Sequence, residues 1–192
     1  MHLPELLGSS SLILLGATNA PIKPWISRKI VHIGIGTLLI NADTTDPLVV
    51  NSIYTSCFLL GGYITNKGIK RISDDRTVDG FIKDIGIFGY ILSCFTCLLL
   101  SVPYKEIAPL FYSDPAGAII GRTIESPKIW QNKTLVGTTS VFTTTLITST
   151  GDLEEKLLVS LIVTSIELFG GKIDNPLIAT FLIIKYLLEN HN

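Results

Sequence analysis

The stretch Tyr112–Thr139, YSDPAGAIIGRTIESPKIWQNKTLVGTT, places polar chemistry inside an otherwise apolar chain. Asp114 is followed there by small residues, and Lys133 is followed by a run of hydroxyl side chains. A carboxylate beside small residues can hold a metal ion and still leave room for a phosphate group. A lysine followed by hydroxyls can neutralise such a phosphate and donate hydrogen bonds to it. The stretch therefore predicts a phosphate site built among apolar helices.

The composition around this stretch favours a lipid environment. Of 192 residues, 47% are hydrophobic and only 16% are charged, against about 25% charged in a typical soluble domain. The charges are collected between long apolar blocks, which lie at 5–21, 30–48, 48–65, 85–102, 107–121, 134–150, 157–170 and 176–188. Since a spanning helix needs about 20 residues, the shorter blocks are expected to be half-spans or re-entrant. We therefore predict an all-α polytopic membrane protein, with about seven or eight transmembrane or re-entrant helices in one bundle.

The basic residues indicate an orientation and a single domain. If every block crosses, most of the 15 basic residues fall in alternate loops on one side, and Lys105 and Lys156 lie opposite. Basic loops of membrane proteins face the cytoplasm. No Pro-, Ser- or Gly-rich linker divides the chain, which predicts one domain over 1–192. A net charge of −1 gives no support for nucleic-acid binding.

Two polar motifs lie outside the opening stretch, on the same predicted side. Arg28 and His32 are four residues apart, so in a helix they share a face and could hold a phosphate or a lipid hydroxyl. The alternative is an interface anchor with a buried histidine. Further along, Glu167 ends one apolar block and Asp174-Asn175-Pro176 opens the next. A helix cap explains the latter motif but leaves Glu167 unexplained. The charged segment 71–84 is expected to be a solvated connector.

Asp114 is the strongest single indication of a site. It lies several residues inside an apolar block, where an unpaired charge is costly, so its presence predicts function. Pro115 and Gly117 are expected to break or kink the helix and to free backbone groups for a polar cavity. The alternative is that Asp114 caps a helix and Lys133 is a surface charge. The pattern of a nucleotide-binding P-loop is absent, so a different kind of phosphate site is required.

Together these motifs resemble those of the CTP-dependent polyprenol, phytol, dolichol and diacylglycerol kinases, which are related to the CDP-diacylglycerol synthases. The resemblance covers most of the chain. Its R-K-x-x-H pattern matches 28–32, and its D-x-x-A-x-x-x-G-R pattern is matched more loosely by 114–122. The K-[ST]-x-E-G-[ST] pattern matches 133–138, except that Val136 replaces the glutamate. The late acids correspond to Glu167 and to Asp174-Asn175.

The resemblance implies a reaction and a set of roles. The expected activity is transfer of the γ-phosphate of CTP to a long-chain isoprenoid alcohol such as geranylgeraniol, phytol or dolichol. Mg²⁺ is implied as cofactor, held by Asp114, Asp174 and Asn175. The residues expected to bind the nucleotide are Gly117, Gly121, Arg122, Lys133, Thr134, Gly137 and Thr138. Those expected to orient or deprotonate the hydroxyl, or to act with the metal, are Lys29, His32, Glu167 and Asp114.

Other functions remain open at this level. A diacylglycerol kinase or a CDP-lipid cytidylyltransferase would use the same motifs on a different acceptor. A non-catalytic membrane transporter or binding protein would use the polar cluster without consuming nucleotide. In each case the expected location is the cell membrane or the endoplasmic reticulum, with the site facing the cytoplasm, and the partners are the lipid bilayer and a small-molecule substrate.

Overall fold

The protein is all-helical apart from one short hairpin, in a computed structural model that describes residues 1–19, 22–66 and 85–190. The prediction of an all-α fold is confirmed. The described helices are α1 (Leu3–Asn19), α2 (Pro24–Ile40), α3 (Pro47–Asn66), α4 (Ile85–Leu99), α5 (Ala108–Thr123), α6 (Leu135–Thr148), α7 (Leu153–Phe169) and α8 (Asp174–Asn190). The strands are β1 (Lys128–Trp130) and β2 (Lys133–Thr134).

The starts of α2 and α7 follow local capping, whereas the other described helices begin within two residues of their apolar blocks. α2 begins at Pro24, a residue type that suits the first turn because it has no N–H to leave unbonded. α7 begins at Leu153 because the Asp152 side chain accepts a hydrogen bond of 3.0 Å from the Glu155 N–H. Both helices thus start before the apolar segments predicted from the sequence. Within the described ranges, no helix combines the length and the apolar character that crossing a membrane requires.

The chain divides into two compact units, 1–104 and 105–192. In the first unit α1 packs against α2 and α3, and α3 packs against α4. Its interior includes Val49 and Cys97, which are fully buried. The Tyr104 hydroxyl donates a hydrogen bond of 3.1 Å to the Cys94 carbonyl and ties the end of this unit to α4. The prediction of one domain over 1–192 stays a prediction.

The second unit contains four helices and the hairpin. α5 packs along α6, α6 against α7, α7 against α8, and α8 also contacts α5. Leu110 and Phe111 are buried on α5, as are Val163 on α7 and Ile178 on α8. The unit is therefore a small helical bundle with an apolar interior.

Two expectations for the opening stretch are wrong. α5 runs without interruption through Pro115, which lies buried within it, so the expected break does not occur, and the expected kink stays a prediction. Close packing against α6 stabilises the helix despite the hydrogen bond that a proline removes. Asp114 lies well inside α5, whose N-cap is Ile107, so the alternative in which Asp114 caps the helix is also wrong.

Candidate functional site

The β-hairpin and the start of α6 position Lys133. Trp130 pairs with Lys133 across the hairpin, and Gln131 turns the chain with a φ of 45°. Directly after Lys133, Thr134 caps α6, because its Oγ1 accepts a hydrogen bond of 3.2 Å from the Gly137 N–H. An N-cap of this kind fixes where the helix starts. The backbone at Lys133 is thus held between a strand pair and a helix cap.

Lys133 is the cation of a buried charge cluster. Its ammonium donates a hydrogen bond to Glu167 Oε1, at the end of α7, and lies 4.0 Å from Asp174 Oδ2, at the start of α8. The lysine side chain is 33% exposed, whereas the two carboxylate side chains are only 8% and 7% exposed. Burial weakens screening by water, so this pairing is stronger than one on an open surface. The structure therefore brings three of the residues identified in the sequence to one end of the second unit.

The cluster gathers three acids, Asp114, Glu167 and Asp174, around Lys133. Asp114 and Asp174 both lie close enough to Glu167 to repel its charge, and Lys133 is the group that attracts it. Three carboxylates gathered in a largely buried space repel one another, and a proton or a bound cation lowers that repulsion.

Two buried side-chain oxygens at this end of the second unit accept no hydrogen bond. Among the described residues, neither Glu167 Oε2 nor Asn175 Oδ1 has a hydrogen-bond partner. The backbone N–H of Asn175 donates a hydrogen bond of 2.8 Å to Asp174 Oδ1, which keeps the two residues together at the start of α8. A buried polar atom without a partner costs free energy, so its presence is an indication of a ligand.

No group of three or more His, Cys, Asp or Glu side chains in the described part of the chain is arranged to hold a metal ion. Mg²⁺, however, commonly takes only one or two protein carboxylates and completes its shell with water and substrate phosphates. The unused amide oxygen of Asn175, beside the carboxylate of Asp174, is a donor of the kind that a hard cation prefers. The residues present therefore fit a divalent cation that arrives with its phosphate ligand.

The three glycines predicted to approach the nucleotide meet one another where α5 and α6 cross. A Cβ added to Gly121 would lie 3.1 Å from Gly137 Cα, and one added to Gly137 would lie 3.0 Å from the Gly117 carbonyl oxygen. Absent side chains let the two helix backbones approach closely. These glycines thus let α5 and α6 pack closely. That packing sets the distance between Asp114, on α5, and Lys133, which lies just before α6.

The other predicted nucleotide ligands lie near this crossing. Arg122 is exposed in the last turn of α5, and Thr138 is half-buried in the first turns of α6. Thr134 uses its hydroxyl to cap α6, and its Oγ1 lies 3.5 Å from the Gly121 carbonyl oxygen.

Two features of this end were not identified from the sequence. One is the hairpin, and the other is Ser126, whose hydroxyl accepts a hydrogen bond of 3.2 Å from the Val136 N–H.

Lys29 and His32 belong to the first unit. Both lie on α2, where His32 is buried and its ring packs edge-on against Tyr90 with 4.3 Å between ring centroids. The Tyr90 hydroxyl also donates a hydrogen bond of 3.1 Å to the His32 carbonyl oxygen. Their participation in the charge cluster of the second unit stays a prediction. The charged segment 71–84 lies outside the described residues.

Comparison of the chain with protein-family models, with curated proteins and with solved structures gives no match.

Proposed function

We propose that this protein is a CTP-dependent lipid kinase that phosphorylates the hydroxyl of a long-chain isoprenoid alcohol. The observation that carries the proposal is the contact of Lys133 with Glu167 and Asp174. These residues come from separate sequence motifs, and they meet at one end of a helical unit. CTP, and an acceptor of the geranylgeraniol, phytol or dolichol type, enter the proposal through the resemblance of those motifs.

The charge balance favours an anionic substrate that brings a cation. A triphosphate alone would be repelled by the carboxylates of Asp114, Glu167 and Asp174. Asp114, Asp174 and Asn175 would hold Mg²⁺. That ion would neutralise the phosphate oxygens and align the triphosphate for transfer. Lys133, freed from Glu167 by the exchange of partners, would bind the γ-phosphate, and Arg122 would contact the phosphates from the end of α5.

The reaction needs little more than alignment and a proton acceptor. The hydroxyl oxygen of the lipid attacks the γ-phosphorus, the bond from that phosphorus to the oxygen bridging the β- and γ-phosphates breaks, and CDP leaves. The hydroxyl proton passes to a carboxylate. Glu167 is suited to accept it, because its Oε2 is buried and has no hydrogen-bond partner within the described ranges.

The surface of the second unit supports a membrane location. Large apolar side chains are exposed on several of its helices, among them Ile147 at 75%, Leu188 at 66% and Leu161 at 58%. In contrast, Glu167 and Asp174 are buried. Exposed apolar surface beside buried polar groups is expected when the surrounding solvent is lipid. We therefore propose an integral membrane protein with several transmembrane or re-entrant helices and with the charge cluster facing the cytoplasm.

Product analysis of purified protein in detergent tests the reaction. CTP, ATP, GTP and UTP are supplied in turn with geranylgeraniol, phytol, dolichol or diacylglycerol, and CDP or the other diphosphates are measured. Asp114→Asn and Lys133→Ala should each lower turnover roughly 100-fold, a typical loss for one group that stabilises transition-state charge. Glu154→Gln and Lys105→Ala, exposed residues of the same unit, are the matched controls. Full CTP-dependent phosphorylation by folded Asp114→Asn and Lys133→Ala proteins would refute the proposal.

The same assay separates the alternatives. Pyrophosphate released in the presence of a lipid phosphate would identify a cytidylyltransferase. Ligand binding without nucleotide consumption would identify a transporter or binding protein. Chelation of divalent cations should abolish turnover and nucleotide binding together, since the carboxylates would then repel the triphosphate. Nucleotide binding that persists unchanged in chelator would contradict the charge argument.

A further inference from the structure

An aromatic pair joins the hairpin to the end of α7, beside the charge cluster. The rings of Trp130 and Phe169 meet edge to face with 5.3 Å between centroids. Both side chains are nevertheless exposed to solvent, Trp130 at 47% and Phe169 at 62%. Ile173, in the turn after α7, is 46% exposed. These three residues and the exposed lysines Lys128 and Lys172 are called the hairpin face below.

The hairpin face combines exposed apolar side chains with lysines that lie close to them in sequence. Lys128 lies two residues before Trp130, and Lys172 lies three residues after Phe169. The acids at the ends of α7 and α8, Glu167 and Asp174, are buried. The five residues of the hairpin face thus include two exposed lysines and no acid, although exposed Glu125 lies three residues before Lys128 and the chain as a whole is close to neutral.

This combination matches one kind of partner. Tryptophan is enriched at the boundary between lipid chains and headgroups, where its ring is in contact with both. Lysines beside such a ring are attracted to anionic headgroups within about one Debye length. The folded chain already holds Trp130 against Phe169, so the two rings need not be brought together when they bind.

We propose that the hairpin face binds the headgroup layer of an anionic phospholipid bilayer, with Trp130 and Phe169 inserted at the level of the glycerol backbone. The inference does not depend on the reaction proposed above. It does imply that Lys133, which pairs with Trp130 across the hairpin, lies close to the depth at which a lipid hydroxyl resides.

Tryptophan fluorescence tests this placement directly. The chain has two tryptophans, so Trp25→Phe leaves Trp130 as the only reporter. The protein is placed in vesicles of phosphatidylcholine alone, or of phosphatidylcholine with about one third phosphatidylglycerol. Quenching is then measured with brominated lipid chains and with aqueous acrylamide. We expect Trp130 emission to be quenched by the brominated lipid and shielded from acrylamide, more strongly in the anionic vesicles.

The lysines provide the second readout. One basic residue near an anionic surface changes the ratio of bound to unbound hairpin roughly fivefold. Lys128→Gln with Lys172→Gln should therefore lower that ratio roughly 25-fold in anionic vesicles and little in neutral ones. Lys105→Gln with Lys156→Gln, in the same unit but outside the hairpin face, should leave it unchanged.

Three results would overturn the inference. The first is Trp130 emission that acrylamide quenches as freely as a small tryptophan derivative in vesicles of either composition. The second is lipid quenching that the Lys128 and Lys172 substitutions do not reduce. The third is shielding that depends on protein concentration without lipid, which would identify a second copy of the chain as the occupant. None of these results bears on nucleotide turnover in detergent, so the two proposals fail separately.

Discussion

Replacing Gly137 with alanine should destabilise the second unit, because no space exists for a methyl group where α5 and α6 cross. The added Cβ would lie 3.0 Å from the Gly117 carbonyl oxygen, 3.0 Å from Thr134 Oγ1 and 3.1 Å from Gly121 Cα. Two of these atoms belong to the backbone of α5 and cannot rotate away. The third belongs to the side chain that caps α6. The helices must therefore move apart, or the cap must break.

The size of the effect follows from two opposing contributions. Forcing an extra methyl group into a packed interface costs about 1–3 kcal/mol. Alanine in place of glycine within a helix returns about 1 kcal/mol. Because backbone atoms supply two of the contacts at Gly137, we place the cost near the upper end and expect a net loss of about 1–2 kcal/mol. For a chain of this size that corresponds to a fall in Tm of roughly 3–6 °C.

Thermal unfolding followed by circular dichroism measures this loss in detergent. Gly8→Ala is the matched control, because it also lies within a helix but its added Cβ would have no atom within 4 Å. Gly8→Ala should leave Tm unchanged or raise it slightly, through helix propensity alone. If Gly137→Ala behaves like Gly8→Ala, the close crossing of α5 and α6 is incorrect, and so is the position that it gives to the charge cluster.

Other predictions use the same measurement. Thr134→Ala should cost about 1 kcal/mol through loss of the α6 cap, whereas Thr134→Ser should cost little; equal losses would mean that the hydroxyl does not cap the helix. Lys133→Met should cost about 2 kcal/mol, less than a fully buried pair because the lysine is partly exposed, and adding Glu167→Gln should restore most of it. Additive losses in that cycle would show that the two side chains do not interact. The Lys185 ammonium donates a hydrogen bond to Glu155 and lowers the pKa of that carboxyl below its ordinary value of 4.5. The resulting stability is present above pH 4.5 and is lost as the pH falls through the lowered pKa. Glu155→Gln should therefore cost about 0.5 kcal/mol at pH 7 and nothing at pH 2; an equal loss at both would contradict the ion pair.

The apolar blocks predicted the helices well because helix formation in this chain follows runs of apolar residues. The first residues of α2 and α7 were less predictable, since Pro24 and the Asp152 cap decide them locally. The hairpin was missed because its strands are two and three residues long and depend on the turn at Gln131. The continuity of α5 through Pro115 depends on packing against α6, which no local pattern contains.

The charge cluster was predictable in membership but not in arrangement. The motifs of Lys133, Glu167 and Asp174 could be assigned to one side from the alternation of apolar and basic segments. Which carboxylate pairs with the lysine depends on the side-chain directions of three separate elements, and a sequence does not contain those directions. The close contact between α5 and α6 at Gly117, Gly121 and Gly137 was likewise not predictable from the sequence. Glycines at these positions suit a phosphate loop and a close helix contact equally well.

The threonine-rich α6 bears directly on the proposed membrane location. Eight of the residues of α6 and its N-cap are threonines or serines, at 134, 138, 139, 140, 143, 144, 145 and 148, and hydroxyls placed in lipid need hydrogen-bond partners. Thr139, Thr143, Thr145 and Thr148 donate hydrogen bonds of 2.8–2.9 Å to carbonyl oxygens four residues earlier in the same helix. Thr145 alone among these four also reaches α5, where Ser113 lies 2.8 Å away. A hydroxyl satisfied by its own helix presents mainly its methyl group to the surroundings, and the cost of placing it in lipid falls accordingly. The threonine content of α6 is therefore compatible with contact between this helix and the hydrocarbon of a bilayer.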